Sequence, residues 1–196
     1  MKDRIVENTL DRKEAVSALV GDIAGKLVIT GLAGPAQDMA AHTDNADNCF
    51  MMGGSMGAAV PMGLGLALAR PDKQVLVVTG DGELLMNVGS LSVVGAMRPK
   101  NLSIICVDNG HYGETGYQPS HTSLGADLET IARGSGIGVT MTVTSMEDIH
   151  KAHPLLERTD EPVFVLLKVS KAPSARKPRS WDAVERKNAF IQAAVV

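Results

Sequence analysis

The 196-residue sequence has the length of one domain able to bury a sizeable core, and 44 % hydrophobic with 21 % charged residues is a globular rather than a disordered composition. A net charge of −3 with no stripe of Lys or Arg excludes a nucleic-acid footprint, and 3 % aromatic residues leave little for base stacking or sugar clefts. Two cysteines, Cys49 and Cys106, without a C-x-x-C spacing exclude a four-thiolate metal centre and read as buried free thiols in a reducing compartment.

In chain order, Met1-Lys2-Asp3-Arg4 has no apolar leader character, and no later stretch reaches the about 20 uncharged apolar residues of a membrane span. The expectation is a cytoplasmic protein that binds neither membrane nor nucleic acid. Arg12–Ile23 has a helical pattern, and Lys26–Thr30 is a short apolar strand. Gly53–Arg70, apolar and rich in small residues, reads as a helix stopped by Pro71, followed by a second strand at Gln74–Thr79. Glu83–Met97 predicts another apolar helix, closed by Arg98-Pro99, and Leu102–Val107 a third strand. A polar, glycine-rich loop runs to about Gly125, with a helix near Asp127–Arg133 beyond it. Val139–Thr144 and Pro162–Val169 complete the strands, with a helix at Met146–Arg158 between them.

Strands alternating with helices argue for an α/β fold, a doubly wound, mainly parallel sheet with helices on both faces. The strands are apolar throughout rather than alternating, as expected when both faces are covered. This domain is expected over residues 1–170. Residues 171–196 then form a basic, Pro-containing linker (Lys171–Arg179) and a terminal helix (Trp181–Val196) that packs on this subunit or on a partner.

Glycines crowd into Gly53–Gly65, Gly80–Gly95 and Gly110–Gly116, beside apolar runs, which suggests close approach of backbone to a ligand. In a doubly wound sheet, ligands sit beyond the carboxyl ends of the strands. Thr30-Gly31, Thr79-Gly80-Asp81-Gly82 and Asp108-Asn109-Gly110 all arrive there. Gly80-Asp81-Gly82 is not a dinucleotide fingerprint, because Leu85 stands where the third glycine belongs, and it is not a P-loop. It offers a carboxylate, Asp81, at a turn ahead of a helix, with the amides of Gly82 and Glu83 ready for an anion. A carboxylate and a phosphate at one helix end repel unless a hard divalent cation, Mg²⁺ by preference, lies between them. Asn109, 28 positions after Asp81 at the end of the next strand, supplies a second oxygen ligand, and a loop carbonyl such as that of His111 a third. Taken singly, Asp-Gly and Asn-Gly after strands are ordinary turn chemistry. As a pair at this spacing they point to a metal.

Gly80-Asp-Gly followed by 26 residues and Asn109 resembles the thiamine diphosphate signature, with Asp108 standing where its first asparagine often is. The longer strings GGSMGAAVPMGLGLALA (53–69), TGDGELLMNVGSLSVVGAM (79–97) and DNGHYGETGYQPSHTSLGADLETIA (108–132) resemble the small β subunits of sulfopyruvate and phosphonopyruvate decarboxylases over residues 15–170. The resemblance implies that Asp81, Asn109 and the main-chain oxygen of His111 bind Mg²⁺. It implies that Gly80, Gly82, Glu83, Tyr112, Gly113, Glu114 and Thr115 hold the diphosphate of thiamine diphosphate through their backbones, with Gly31 and Leu32 closing it from the first strand. In Gly54-Ser55-Met56, Met56 matches the apolar wedge that bends the cofactor, and the carbonyl of Gly54 would accept from its 4′-amino group. The plain alternative for Met56 is core filler. Glu83 and Glu114 depart from the small or hydroxyl residues usual in the family.

In this family the cofactor lies between two domains, and a glutamate of the other domain protonates its pyrimidine ring. No second α/β unit remains in this sequence to supply one. The resemblance therefore implies a separate α subunit with a pyrimidine-binding domain and the catalytic glutamate, and a small 2-oxo acid as substrate. His111 and His121 are the candidate proton carriers within this chain. The alternatives are another thiamine diphosphate enzyme, either a carboligase or a 2-oxo acid:ferredoxin oxidoreductase β subunit, and a non-catalytic cofactor-binding scaffold. Intact Asp81 and Asn109 argue against the last.

Overall fold

The structure, a computed structural model, describes residues 10–174, 177, 178, 180 and 182–195. The leader reading at Met1–Arg4, and the tail residues Ala175, Arg176, Arg179, Trp181 and Val196, lie outside the described residues.

The elements run α1 (Arg12–Val20), β1 (Lys26–Thr30), α2 (Gly34–Thr43), β2 (Cys49–Met51), α3 (Ala59–Ala69), β3 (Gln74–Gly80), α4 (Asp81–Leu85), α5 (Ser90–Met97), β4 (Leu102–Asp108), β5 (His111–Tyr112), β6 (Gln118–Pro119), a 3-10 turn (His121–Leu124), α6 (Leu128–Gly134), β7 (Val139–Val143), α7 (Met146–Leu156), β8 (Val163–Lys168) and α8 (Ala183–Val195). Six strands form one parallel sheet in the order β2-β1-β3-β4-β8-β7. Along each central strand, successive side chains enter opposite cores. Leu76, Val78, Ile105, Val107, Val165 and Leu167 pack with α1, α2 and α7. Val75, Val77, Ile104, Cys106, Phe164 and Leu166 pack with α3, α5 and α6. Both faces are thus dry, which explains strands without polar alternation.

The expected architecture is present, and the element boundaries differ in instructive places. The helix expected over Gly53–Arg70 begins only at Ala59, because Gly54 (φ 123°) and Gly57 (φ 77°) hold the preceding segment in left-handed conformations. The helix expected over Glu83–Met97 is two helices, α4 and α5. At the break, Asn87 Nδ2 donates to Gly57 O (3.0 Å) and Ser90 Oγ to Asn87 O (2.7 Å). The α2–β2 unit was not expected. It puts a sixth strand at the sheet edge, against which α8 lies: the Phe190 and Phe50 rings meet at a tilt with centroids 5.5 Å apart, and Arg186 donates to Cys49 O at 2.9 Å. The terminal helix therefore packs on its own subunit. Both cysteines are free and buried, and burial pushes the Cys49 thiol up to about 12.

For function, the decisive feature is where strands end. The chain leaves β1 toward β2 through α2 and returns past β1 to β3 through α3, so a crevice opens at the carboxyl ends of β1 and β3. In register, Gly80 lies beside Val107, and Asp108 beside Lys168.

Candidate active site

Three buried carboxylates crowd this crevice. Asp81, the first residue of α4, is 3 % exposed. Ser120 Oγ donates to its Oδ2, and Thr122 Oγ1 lies 3.2 Å from the same oxygen. Burial, and after it the like charge of Asp108, pushes the Asp81 carboxyl up to about 6, against the pull of the Ser120 and Thr122 hydroxyls. Asp108, at the end of β4, is fully buried. Its Oδ1 accepts from Thr122 Oγ1 (2.7 Å) and from the Gly110 amide (2.9 Å), and its Oδ2 from Lys168 Nζ. A buried carboxylate with a like charge beside it, in a crevice lined with backbone amides, is a donor that suits a hard divalent cation.

Glu83 is the third. Its carboxylate turns inward beneath the turn: Oε2 accepts from Thr79 Oγ1 at 2.9 Å, and a Cβ at Gly31 would lie 1.6 Å from that oxygen. Only glycine fits at position 31 while Glu83 takes this place. Oε1 is buried and makes no hydrogen bond among the described residues. Burial, the largest influence, pushes the carboxyl up, opposed by Thr79 and the amides of Gly80, Leu32 and Ala59. The departure at Glu83 is thereby accounted for, because its side chain joins the β1 and β3 loops and only its backbone is left for an anion.

Asn109 follows β4 and folds into an Asx turn, Oδ1 accepting from the His111 amide at 3.0 Å. His111 Nδ1 lies 2.9 Å from Asn109 O. His111-Tyr112 pair with Gln118-Pro119 as a hairpin inside the stretch expected to be a loop. The Tyr112 ring occupies the space a Cβ at Gly82 would take (2.4 Å), which anchors the hairpin on the α4 turn and brings the two backbones together. Gly113, Glu114 and Thr115 form its exposed tip, and His121 is exposed at the start of the 3-10 turn.

Gly54, Ser55 and Met56 lie exposed on the loop before α3, which is tied through Gly57 to Asn87 at the break between α4 and α5. Met56 is 40 % exposed and belongs to neither core, so it is not core filler. Two other histidines bind backbone carbonyls, His42 Nε2 at Gly21 O (2.7 Å) and His153 Nδ1 at Leu19 O (2.9 Å), while His150 is exposed on α7.

The residues the sequence missed are Ser120, Thr122 and Lys168. Within Gln118–Thr122 the histidine is exposed, and its flanking hydroxyls, Ser120 and Thr122, are the buried groups. Lys168 carried a signal of its own, a lone cation closing the otherwise apolar strand VFVLLK.

Over residues 33–167 the sequence matches the family described as thiamine pyrophosphate enzyme, C-terminal TPP binding domain. It is 40 % identical over 141 residues to a sulfopyruvate decarboxylase subunit beta of Methanocaldococcus jannaschii, covering 71 % of this chain and 73 % of that one. It is 34 % identical over 175 residues to a phosphonopyruvate decarboxylase of Streptomyces viridochromogenes, covering 89 % of this chain but 42 % of the relative. The fold superposes on a thiamin diphosphate-dependent enzyme from Mycobacterium smegmatis with a TM-score of 0.68 at 19 % identity, over 86 % of this chain and 33 % of that one. The chain thus spans less than half of the phosphonopyruvate decarboxylase and a third of the solved enzyme.

Proposed function

The chain belongs to the thiamine pyrophosphate enzymes through their C-terminal TPP-binding domain, and from that premise we propose that it is the β subunit of a thiamine diphosphate- and Mg²⁺-dependent 2-oxo acid decarboxylase. The observation that carries this is the buried Asp81 at the α4 turn, with Oδ2 held by Ser120 and the Asn109 turn one strand away. Asp81, Asn109 and the main-chain oxygen of His111 hold Mg²⁺. The backbones of Gly31, Leu32, Gly80, Gly82, Glu83 and Tyr112–Thr115 hold the diphosphate, and Gly54, Ser55 and Met56 face the rest of the cofactor. When bound, the cofactor supplies the nucleophilic carbon and the electron sink that release CO₂ from a 2-oxo acid. What this chain contributes is orientation, an anchored cation and a crevice poor in water. His111 and His121 are its candidate proton carriers.

A separate α subunit supplies the pyrimidine-binding half and its glutamate. In support, one side of α3 is buried in its own core through Val60, Gly63, Leu64 and Ala67, while Met62 and Leu68 are exposed. Met86, Val93 and Met97 are exposed nearby, and apolar surface of this kind fits a subunit interface. Two buried free thiols support a cytoplasmic location. Among the described residues, no helix is long and apolar enough to cross a membrane.

The relatives' names suggest a short 2-oxo acid bearing a second anionic group. The test is a screen of 2-oxo acids, with and without a sulfonate or phosphonate, for CO₂ release by the assembly in which the chain purifies. Release without an added electron acceptor, fastest for the doubly anionic acids, is the expected result. Turnover only with an electron acceptor would make the protein an oxidoreductase subunit instead, and no turnover of any 2-oxo acid would remove the decarboxylase.

A further inference from the structure

The strands that deliver Asp81 and Asn109 also deliver a second carboxylate that the proposed metal site does not use. Asp108 has every oxygen engaged by protein donors: Thr122 Oγ1 and the Gly110 amide on Oδ1, Lys168 Nζ on Oδ2. Lys168 closes the neighbouring strand in direct register with Asp108, and its side chain is only 23 % exposed. Two hydroxyls lie between the carboxylates. Ser120 donates to Asp81 Oδ2, Thr122 donates to Asp108 Oδ1, and the two hydroxyl oxygens lie 2.9 Å apart. Each hydroxyl has one proton and each carboxylate takes one, so the link between the carboxylates is Thr122 Oγ1 itself, 2.7 Å from Asp108 Oδ1 and 3.2 Å from Asp81 Oδ2.

We propose that Asp108 and Lys168 form a charge-neutral pair of positioning residues for the divalent cation, holding the second carboxylate off the metal and, through Thr122 seated between the two carboxylates, orienting Asp81 toward it. Charge makes this necessary. Asp81, Asp108 and a diphosphate together would overload a single divalent cation with negative charge, while a neutral Asp108–Lys168 pair leaves Asp81 as the one protein anion that it meets. The same logic explains an aspartate where the family often has asparagine. The extra negative charge is matched by a lysine one strand away. This inference rests on Asp81 binding a divalent cation.

The test uses the full chain in the assembly in which it purifies, with Mn²⁺ as the probe and its dissociation constant read by electron paramagnetic resonance. Asp108→Asn strands the Lys168 cation beside the site and weakens Mn²⁺ by about tenfold. Lys168→Met frees a carboxylate toward the metal and tightens Mn²⁺ while weakening thiamine diphosphate, read by calorimetry. The double variant, neutral on both strands, returns to within about threefold of wild type. A merely structural role would make the double variant the worst of the three. Wild-type Mn²⁺ affinity in Asp108→Asn, or no recovery in the double variant, overturns the pair. Should Asp108→Asn fail to fold by circular dichroism, Thr122→Val cuts the link at constant charge, and unchanged Mn²⁺ affinity there overturns the orienting role. Asp81→Ala is the separate control: unchanged Mn²⁺ binding in that variant places the metal elsewhere and removes the site on which the pair acts.

Discussion

The two ends of the central sheet solve the same problem in opposite ways. At the amino ends of β3 and β4, the buried polar side chains are matched. Asn101 Nδ2 reaches the carbonyls of Ala67, Arg70 and Lys73 at 3.1, 2.9 and 2.7 Å, closing the end of α3 and the entry to β3. Ser103 Oγ caps the end of α7 through Leu156 O at 3.0 Å, and Lys26 pairs with Glu157. At the carboxyl ends of the same strands, Asp81, Glu83 and Asp108 are buried together; the carboxyls of Asp81 and Glu83 are pushed up, and Glu83 Oε1 makes no hydrogen bond among the described residues. The crowded end is the one at which the proposed cofactor site lies, and perturbed, buried carboxylates are what such a site requires.

The contrast is broken most directly by Asp81→Ala. Thiamine diphosphate binding in the presence of Mg²⁺ should weaken by at least about a hundredfold in calorimetry, with the melting temperature held or raised because a buried charge has gone. Binding at wild-type strength would return Asp81 to ordinary turn chemistry.

A pH series separates the ends next. Unfolded, Asp81 ionises near 3.8, whereas in the metal-free fold it keeps its proton until about 6. The unfolded state therefore binds fewer protons between these values, and stability falls as pH rises from about 4 to about 6. Relative to Asp81→Asn, the metal-free wild type should lose roughly 2–3 kcal/mol across that window in urea melts with chelator. A flat difference would show the site to be wetter than the structure describes.

Gly31→Ala sharpens the position of Glu83. A methyl 1.6 Å from Glu83 Oε2 should cost about 2 kcal/mol of stability, and most of that cost should vanish in a Glu83→Ala background. Equal costs in both backgrounds would mean that Glu83 points elsewhere. At the opposite end, Asn101→Ala should cost about 1–2 kcal/mol by leaving buried carbonyls unpaired, with no change in metal or cofactor affinity.

What the sequence made legible follows the same division. The continuous branched runs of β1, β3, β4 and β8 were readable because both faces of the sheet are covered, and they carried Asp81 and Asn109 to neighbouring strand ends. The α2–β2 unit was not readable: β2 has three residues at the sheet edge, and α2 is built largely of small residues without a strong apolar stripe. The break between α4 and α5 depends on the Asn87–Gly57 bond, 30 residues apart, which no local pattern announces. The Ser120–Asp81 and Lys168–Asp108 contacts are likewise long-range: the two hydroxyls carry no local signal, and the lone lysine ending β8 shows only that a charge is there, not which carboxylate it meets. Glu83 was visible as a departure, and only the space at Gly31 explains where its side chain goes.

Native mass spectrometry of the protein co-purified with the product of a neighbouring gene tests the central claim that this chain is one half of a thiamine diphosphate site. The account predicts a heteromer whose mass includes thiamine diphosphate and Mg²⁺, and loss of both when Asp81 is replaced by alanine. A homo-oligomer that binds neither, even when both are supplied in excess, would contradict it.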